Sequence, residues 1–247
     1  MSNVDRVKRV CLFTGASGTL GTSFIRHYRK HYDIVAVYRS RSPRCPSQER
    51  RVVDPLNPEA PVPENDDAVF SVQADLLDDA DCTRVVELAL ARFGRVDLLV
   101  NAAAVFSRQA LVGSEHLIEN FDRQFRLNVR VPLVLSLTLA DLFWRNRTAE
   151  NATMNRHIVN VASIGGVRLF TDTRLSVYSA SKAALAQLSR HMASEFLAFG
   201  VRVNALAPSA FPRLIPTDQV SSCIRDLDEG RANGRVVVIE KDGESFA

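Results

Sequence analysis

Short apolar runs alternate with longer segments of helical periodicity along most of this chain, and that alternation restricts its fold. About seven runs rich in Val, Ile and Leu are bounded by turn residues, and the segments between them carry apolar residues at three- and four-residue spacing. This pattern is typical of strand–helix–strand units, in which helices cover both faces of a parallel sheet. We predict a three-layer α/β fold with a doubly wound parallel sheet of about seven strands. The predicted strands are Val7–Phe13, Ile34–Tyr38, Ala68–Gln73, Val96–Val100, His157–Ala162, Val201–Leu206 and Arg235–Ile239.

Length and composition favour a single domain over residues 1–247. The chain is 46% hydrophobic and 24% charged, and no apolar run approaches the roughly 20 residues that cross a bilayer. A few polar residues lead directly into the first apolar run, which leaves no room for a signal peptide. We therefore expect a cytoplasmic protein with no membrane partner.

Charge and cysteine content argue against two further classes of function. The net charge is +3, but Lys and Arg are dispersed without a nucleic-acid-binding motif, so no nucleic-acid partner is expected. The four cysteines are scattered and lack both C-x-x-C spacing and nearby histidines. We expect reduced thiols and no metal.

Two segments depart from the alternation. Segment 42–67 is rich in proline and charge, and we predict an irregular excursion within the domain there. Segment Pro208–Gly234 has room for one short helix, "TDQVSSCIRDLDEG", and little more.

A glycine turn, "TGASGTLG", directly follows the first predicted strand. Glycines at this place permit a tight turn and let the backbone approach a pyrophosphate, while the N-terminus of the following helix supplies N–H groups and a positive dipole. A glycine triplet alone is weak evidence, but its place in an alternating chain predicts a Rossmann-type dinucleotide site. The predicted contacts are Gly15, Ser17, Gly18, Thr19, Leu20 and Gly21.

The end of the second predicted strand is basic. Arg39 and Arg41 follow it, and no carboxylate occurs before Glu49. An acidic residue here would accept from a free ribose 2′-hydroxyl, whereas arginine accommodates a 2′-phosphate. NADP(H) is therefore favoured over NAD, with a solvated basic loop as the alternative.

The order of several further motifs resembles the short-chain dehydrogenase/reductase family, and the resemblance runs through nearly the whole chain. These motifs are the glycine turn Thr14–Gly21, "ADL" at Ala74–Leu76, "LVNAAA" at Leu99–Ala104, "LNV" at Leu127–Val129, "VNVASIGG" at Val159–Gly166, "YSASK" at Tyr178–Lys182 and "VRVNALAPS" at Val201–Ser209.

The resemblance implies a catalytic group. Tyr178 would be the acid or base, and Lys182 would lower the tyrosine pKa and hold the nicotinamide ribose. Ser163 would hydrogen-bond the substrate oxygen, and Asn128 would hold a water in a proton relay. Without the family order, a tyrosine and a lysine four residues apart on a helix are more often a packed ring beside a solvated amine.

The resemblance implies further cofactor contacts, with some departures. Asp75 matches an adenine-contacting acid, and two alanines stand where the family usually has Asn and Gly in Asn-Asn-Ala-Gly. The glycine spacing is that of the family's sugar-nucleotide branch, because Thr19 occupies a position that is usually Gly. The implied contacts outside the glycine turn are Asp75, Leu76, Asn101, Ala102, Ala103, Tyr178, Lys182, Pro208 and Ser209.

The shortness of Pro208–Gly234 suggests a reduced substrate lid. We hypothesise that the excursion after Arg41 or a partner subunit closes the cleft instead. Pocket-lining candidates that flank the motifs are Phe106, Arg108, Arg168, Phe170 and Phe211, although surface arginines and core aromatics explain them equally well.

The leading hypothesis is an NADPH-dependent reductase that delivers hydride to a carbonyl or imine of a small molecule. A non-catalytic NADP-binding regulator or assembly partner and a sugar-nucleotide epimerase or dehydratase remain alternatives. Family members commonly pair through the helices that carry Asn128 and Tyr178, so a homodimer or homotetramer is expected.

Overall fold

The computed structural model describes residues 8–44 and 69–247, and within them eight strands form one sheet. The strand order is β3-β2-β1-β4-β5-β6-β7-β8; neighbouring strands are parallel except β7 and β8, which are antiparallel. The strands are β1 Arg9–Thr14, β2 Tyr32–Tyr38, β3 Phe70–Gln73, β4 Leu98–Asn101, β5 His157–Val161, β6 Arg202–Pro208, β7 Val236–Glu240 and β8 Gly243–Phe246.

Helices cover both faces of this sheet. On one face, α1 and α7 pack on a buried cluster that includes Phe13, Phe24 and Ile224. On the other face, α2, α4 and α6 enclose a second cluster that includes Val85, Leu135 and Met192. The predicted doubly wound α/β fold is therefore confirmed. The helices are α1 Thr19–Tyr28, α2 Asp79–Phe93, α3 Leu117–Phe125, α4 Val131–Leu139, α5 Thr148–Thr153, α6 Ser176–Phe196 and α7 Thr217–Glu229.

The sheet changes winding direction at β1, which pairs with β2 on one side and with β4 on the other. The chain leaves these strands toward opposite faces, so their carboxyl ends open a crevice. Thr14 and Asn101 end β1 and β4 in the same register, which places the glycine turn and the "NAAA" turn side by side. This crevice is where a ligand of such a sheet binds.

One continuous helical stretch, Leu117–Trp144, contains α3, α4 and two π-helical segments, Arg126–Arg130 and Ala140–Trp144. By length and composition it is the one helix among the described residues that could cross a membrane. Half of its most apolar window is buried within the fold, and core helices pass the same test. This is weak evidence for a span, but it corrects the expectation that no segment is long and apolar enough.

The main departure from the predicted strands is β8. The turn Lys241–Asp242 leads into it, and all four of its residues are exposed. An exposed edge strand lacks the apolar alternation by which strands are found in a sequence, although the Asp242–Gly243 pair is a hairpin signal. Of the predicted excursion 42–67, residues 45–67 lie outside the described residues.

Candidate active site

The glycine turn joins β1 to α1 in close contact with the turn that follows β4. Gly15 has a φ of +72°, and a Cβ built on it would lie 2.9 Å from the Ala103 nitrogen. A Cβ on Gly21 would lie 2.5 Å from the Ala16 Cα. Side chains at either position would push apart the backbone segments that form the crevice. The turn thus requires glycine at both places, which fits a backbone cradle for phosphate groups.

A cleft of about 340 Å³ opens at the carboxyl ends of β1, β2 and β4. Thr14 shapes its floor, because its hydroxyl accepts from the nitrogens of Ala102 and Ala103 at 3.0 and 3.1 Å. Among the residues that line the cleft are Gly15, Ser17, Gly18, Arg39, Asp75, Leu76, Ala102, Ala103, Val105, Arg123 and Leu127. One connected surface therefore holds much of the predicted cofactor site.

The β2 end of this cleft is basic. Arg39 and Arg41 are exposed, and neither guanidinium forms an ion pair within residues 8–44 and 69–247. The Gln73 amide donates to the Arg39 carbonyl at 3.0 Å, which fixes the backbone where the strand ends. Asp75, on the cleft wall, accepts from the Leu77 nitrogen at 3.1 Å. Arginines without an ion pair among the described residues, on a fixed backbone, suit a phosphate group.

Ser163 and Tyr178 come together because the turn after β5 packs directly on α6. A Cβ on Gly166 would lie 2.6 Å from the Ala183 nitrogen and from the Lys182 carbonyl carbon. In the same turn, the Ser163 hydroxyl accepts from the Gly165 nitrogen at 3.2 Å. Burial raises the pKa of Tyr178, and a hydrogen bond with Ser163 opposes that increase.

Lys182 lies one helical turn beyond Tyr178 and is 3% exposed. Its Nζ donates to the Val161 carbonyl at 2.6 Å and lies 5.9 Å from the centre of the Tyr178 ring. Burial lowers the pKa of Lys182 from 10.5 to about 8. The expected lowering of the tyrosine pKa is not seen in this structure, because burial outweighs the Ser163 hydrogen bond and the ammonium is held by Val161.

Asn128 lies in the first π-helical segment and is fully buried. Its Oδ1 accepts from the Val105 nitrogen at 2.8 Å, and its Nδ2 donates to the Val105 carbonyl and to the Ser181 hydroxyl, each at 3.0 Å. Ser181 in turn donates to the Tyr178 carbonyl at 2.7 Å. Asn128 therefore ties the turn after β4 to the helix that carries Tyr178.

The sequence candidates for the substrate pocket divide into two groups. The rings of Phe106 and Tyr178 lie 4.9 Å apart at 75°, and the Arg108 guanidinium lies over the Phe106 ring. Arg168 instead donates to Glu240 at 2.8 Å, and Phe211 packs against the buried cluster beneath α1 and α7. Phe170 is exposed and has no ring contact with Tyr178.

Comparison with known proteins identifies the family. A family model described as short chain dehydrogenase matches residues 9–212, which is most of the chain. The chain belongs to the short-chain dehydrogenase family. Dehydrogenases and reductases are among its relatives, so it is a member of an oxidoreductase family with a Rossmann-like fold.

Individual relatives of this short-chain dehydrogenase are distant. The chain is 32% identical to 2-dehydro-3-deoxy-D-gluconate 5-dehydrogenase of Dickeya dadantii over 56% of its own length and 51% of the relative's. The chain thus spans about half the length of this curated relative.

Solved structures match over nearly the whole chain. A Pseudomonas aeruginosa protein in an NADP complex has a TM-score of 0.75 at 21% identity, and the match covers 97% and 98% of the two chains. For the 3-ketoacyl-(acyl-carrier-protein) reductase of Brucella melitensis complexed with NADH, the TM-score is 0.74 at 25% identity, with coverage of 94% and 96%.

Several predicted contacts of this short-chain dehydrogenase lie outside the main cleft. Thr19 and Arg41 line a neighbouring cleft that shares Ser17 and Gly18 with it. Leu20 and Gly21 are buried in α1. Asn101 is buried beneath the cleft, where its amide donates to the Asn160 side chain at 2.8 Å. Pro208 is also buried, and the Ser209 nitrogen donates to the Ile239 carbonyl at 2.9 Å.

Arg123 lines the cleft but was not among the predicted site residues. Arg123 lies on α3, one turn before Leu127, and both line the cleft wall. The signal was present, because residues four apart on a helix share a face and Leu127 belongs to the "LNV" motif. A basic side chain at that position adds a second arginine to the cleft, beside Arg39.

Proposed function

We propose that this short-chain dehydrogenase reduces a carbonyl or imine group of a small molecule with NADPH, through Ser163, Tyr178, Lys182 and Asn128. One observation carries the proposal: the turn after β5 lies directly on the α6 backbone at Gly166, which brings the Ser163 hydroxyl to the Tyr178 phenol beside a buried lysine. Oriented side chains of this kind are what proton transfer to a substrate requires.

Tyr178 is the proton donor in this mechanism. Burial raises the pKa of the phenol, so it keeps its proton at neutral pH and can donate it to the oxygen of a bound carbonyl. The Ser163 hydroxyl would hold the same oxygen and stabilise its developing charge. Lys182, whose Nζ lies 5.9 Å from the centre of the Tyr178 ring, would offset the charge of a phenolate once the proton has left. A nicotinamide dinucleotide, when bound, supplies the hydride.

Asn128 has a positioning role in this proposal. Its side chain is fully engaged by the Val105 backbone and Ser181, so it holds the turn after β4 at a fixed distance from α6. The turn after β4 and the helix that carries Tyr178 then keep their separation while substrate enters. The π-helical backbone at Asn128 is a feature that often marks functional sites.

The turnover test is NADPH consumption, followed by absorbance, with a panel of ketones, quinones, pterins and imines. We expect Tyr178→Phe to lower kcat by about 10²- to 10⁴-fold, because the phenol proton is lost. Tyr28→Phe is the matched control, since Tyr28 packs against Phe24 on α1, away from Tyr178, and its loss should leave kcat unchanged. Equal loss in both variants would contradict the assignment of Tyr178.

The same assay separates the alternatives. Binding of NADPH without turnover across the panel would favour a regulator or assembly partner, an idea motivated by the short segment after β6. A cofactor that stays bound during turnover of a nucleotide-linked sugar, without net NADPH consumption, would favour an epimerase or dehydratase. The Gly15, Gly18 and Gly21 spacing motivates that second alternative.

Preference for NADPH is supported by the arginines at the end of β2. A 2′-phosphate beside Arg39 and Arg41 would gain charge-assisted hydrogen bonds, and the described residues that follow β2, up to 44, include no acidic residue to accept from a free hydroxyl. Structural neighbours do not decide the matter, because an NADP complex and an NADH complex both occur among them.

Charge reversal at Arg39 tests this preference. We expect Arg39→Asp to weaken NADPH binding by about 10- to 100-fold and to leave NADH binding nearly unchanged, as measured by nicotinamide fluorescence. Arg145→Asp is the charge-matched control, because Arg145 lies near the amino ends of the strands, away from the cleft. It pairs with Asp141, and its neighbour Trp144 donates to the carbonyl of Val96, which precedes β4. An unchanged ratio of the two dissociation constants in Arg39→Asp would refute the role of Arg39.

We further propose a single domain that acts in the cytoplasm as a homodimer or homotetramer. The exposed apolar side chains of Ile118, Phe121 and Leu137 on α3 and α4 support pairing through this helical surface. Light scattering coupled to size-exclusion chromatography tests it, with Leu137→Lys as the variant. A monomer in the unsubstituted protein would contradict the proposed assembly.

A further inference from the structure

Phe106 forms a wall in front of the candidate proton donor. Its ring meets the Tyr178 ring edge to face, with centroids 4.9 Å apart, yet 57% of the residue is exposed. An aromatic ring that contacts a reactive phenol and remains open to solvent offers a surface that a substrate can cover. The proposed proton transfer uses no atom of Phe106, so its place at the site is otherwise unexplained.

Arg108 adds a positive charge to this wall. Its Cζ lies 5.7 Å from the centre of the Phe106 ring, which is cation–π distance. No carboxylate in the described ranges 8–44 and 69–247 pairs with Arg108, whereas Arg168 on the next loop is compensated by Glu240. The donors of Arg108 that do not contact the ring are therefore open to an incoming anion.

The separations fix the scale of the ligand. The ring centres of Tyr178 and Phe106 are 4.9 Å apart, and Arg108 Cζ lies 5.7 Å from the centre of the Phe106 ring. The distance from Arg108 Cζ to the Tyr178 ring therefore cannot exceed the sum of these two distances. A carbonyl held at the phenol and an anionic group held at the guanidinium must then be separated by a short, compact body, such as one benzene ring with its substituents. A flexible chain could also span this distance, but ordering it would cost more conformational entropy.

The loops on either side of Phe106 and Tyr178 carry exposed apolar side chains. The Gln109 nitrogen donates to the Arg174 carbonyl at 2.9 Å, which joins the loop after β4 to the loop before α6. Large apolar side chains on these joined loops are exposed to solvent, which favours contact with an apolar ligand over a sugar-like one. They are Leu111, Val112, Leu169 and Phe170.

We propose that the substrate is a carbonyl compound with an apolar, aromatic body and one anionic group, with Phe106 packing against the body and Arg108 binding the anion. This inference rests on the proposed function, since it takes Tyr178 as the group that meets the carbonyl. Arg108 is then a specificity-determining residue, whose removal changes which substrate is preferred and leaves proton transfer intact.

The test compares two probes of the same shape, 4-formylbenzoate and its methyl ester. Turnover of both with NADPH is measured in the unsubstituted protein, in Arg108→Gln and in Arg145→Gln as the matched control. Binding of both probes is measured separately by calorimetry in Tyr178→Phe and in Tyr178→Phe with Arg108→Gln, with and without NADPH. The binding arm needs no turnover, so it addresses Arg108 even if the chain is not a reductase.

We expect the unsubstituted protein and Arg145→Gln to favour the carboxylate by about tenfold in kcat/KM, through KM, and Arg108→Gln to lose that preference. The binding arm should show the same tenfold preference in Tyr178→Phe and none after Arg108→Gln is added. Equal binding of acid and ester in Tyr178→Phe, or a preference that survives Arg108→Gln, would overturn the proposal. Binding that depends on Arg108 without turnover of either probe would retain anion recognition and reject the reductase.

Discussion

Substitution of Gly166 by alanine tests whether contact between the turn after β5 and α6 creates the active site. A Cβ at this position would lie 2.6 Å from two backbone atoms, the Ala183 nitrogen and the Lys182 carbonyl carbon. Backbone atoms inside a 21-residue helix cannot move aside as a side chain can. The turn must therefore shift outward, and Ser163 at its start must move with it.

The neighbouring glycine provides the matched control. A Cβ on Gly165 would lie 3.0 Å from the Ser179 hydroxyl oxygen, which is the end of a short side chain that can rotate away. Gly166→Ala should lower the free energy of unfolding by about 1–3 kcal/mol, as overpacking does in other cores. In a domain of this size that lowers Tm by roughly 2–12 °C. Gly165→Ala should cost well under half as much.

Activity should fall further than stability implies. A displacement of about 1 Å between catalytic groups can cost on the order of 10²-fold in rate. We expect Gly166→Ala to lower kcat by about that factor at temperatures where the protein is fully folded, and Gly165→Ala to retain most of it. Thermal melts followed by circular dichroism and NADPH-consumption assays on the same samples measure both effects. Equal Tm and kcat in the two variants would refute the packing argument.

Three predictions concern buried charges. Burial lowers the pKa of Lys182 to about 8, so burial of its charge destabilises the folded state below pH 8, and this cost disappears as pH rises toward 10.5. Lys182→Met should therefore raise Tm at pH 7, leave Tm unchanged near pH 10.5 and abolish turnover. Asp228 accepts from Arg9 and from the Tyr32 hydroxyl at 2.9 Å, so Asp228→Asn should cost about 3–5 kcal/mol in urea unfolding. A cost no larger than that of Asp242→Asn, in the exposed turn before β8, would contradict this. Burial lowers the pKa of His157 to about 4, so the contribution of the neutral imidazole to stability is present above pH 6.5 and is lost as pH falls toward 4. His157→Gln should reduce the pH dependence of the free energy of unfolding between pH 4 and 6.5. An unchanged pH dependence in this variant would show that other groups titrate there.

The sequence predicted most of the fold because buried parallel strands are strongly apolar. β5 and β6 are buried along their whole length, and their predicted bounds differ from those in the structure by at most two residues. β8 was missed because its four residues face solvent and pack no core. The π-helical segment around Asn128 was also missed, since an extra residue in one helical turn leaves the apolar spacing nearly unchanged.

The candidate site was predictable where a motif ties several residues together and less so elsewhere. The glycine turn indicated Gly15, which lines the cleft. The "YSASK" spacing indicated Tyr178 and Lys182, and the Lys182 Nζ donates to the carbonyl of Val161, where β5 ends. Arg123 escaped because its helix approaches the cleft only through tertiary packing. The raised pKa of Tyr178 was not predicted, because the extent to which a helix residue is buried cannot be read from the spacing of apolar residues in the sequence.

The two edges of the sheet hold different kinds of polar group, and this separates function from stability. At the amino edge, Asp228 joins Arg9 and Tyr32 in hydrogen bonds that link β1, β2 and α7, so each of these three side chains has a protein partner. At the carboxyl edge, Arg39 and Arg108 have no carboxylate partner within the described residues. A charged group satisfied by the protein stabilises the fold, whereas an unsatisfied one is available to a ligand. Substitutions at the amino edge should therefore act mainly on Tm, and those at Arg39 and Arg108 mainly on affinity.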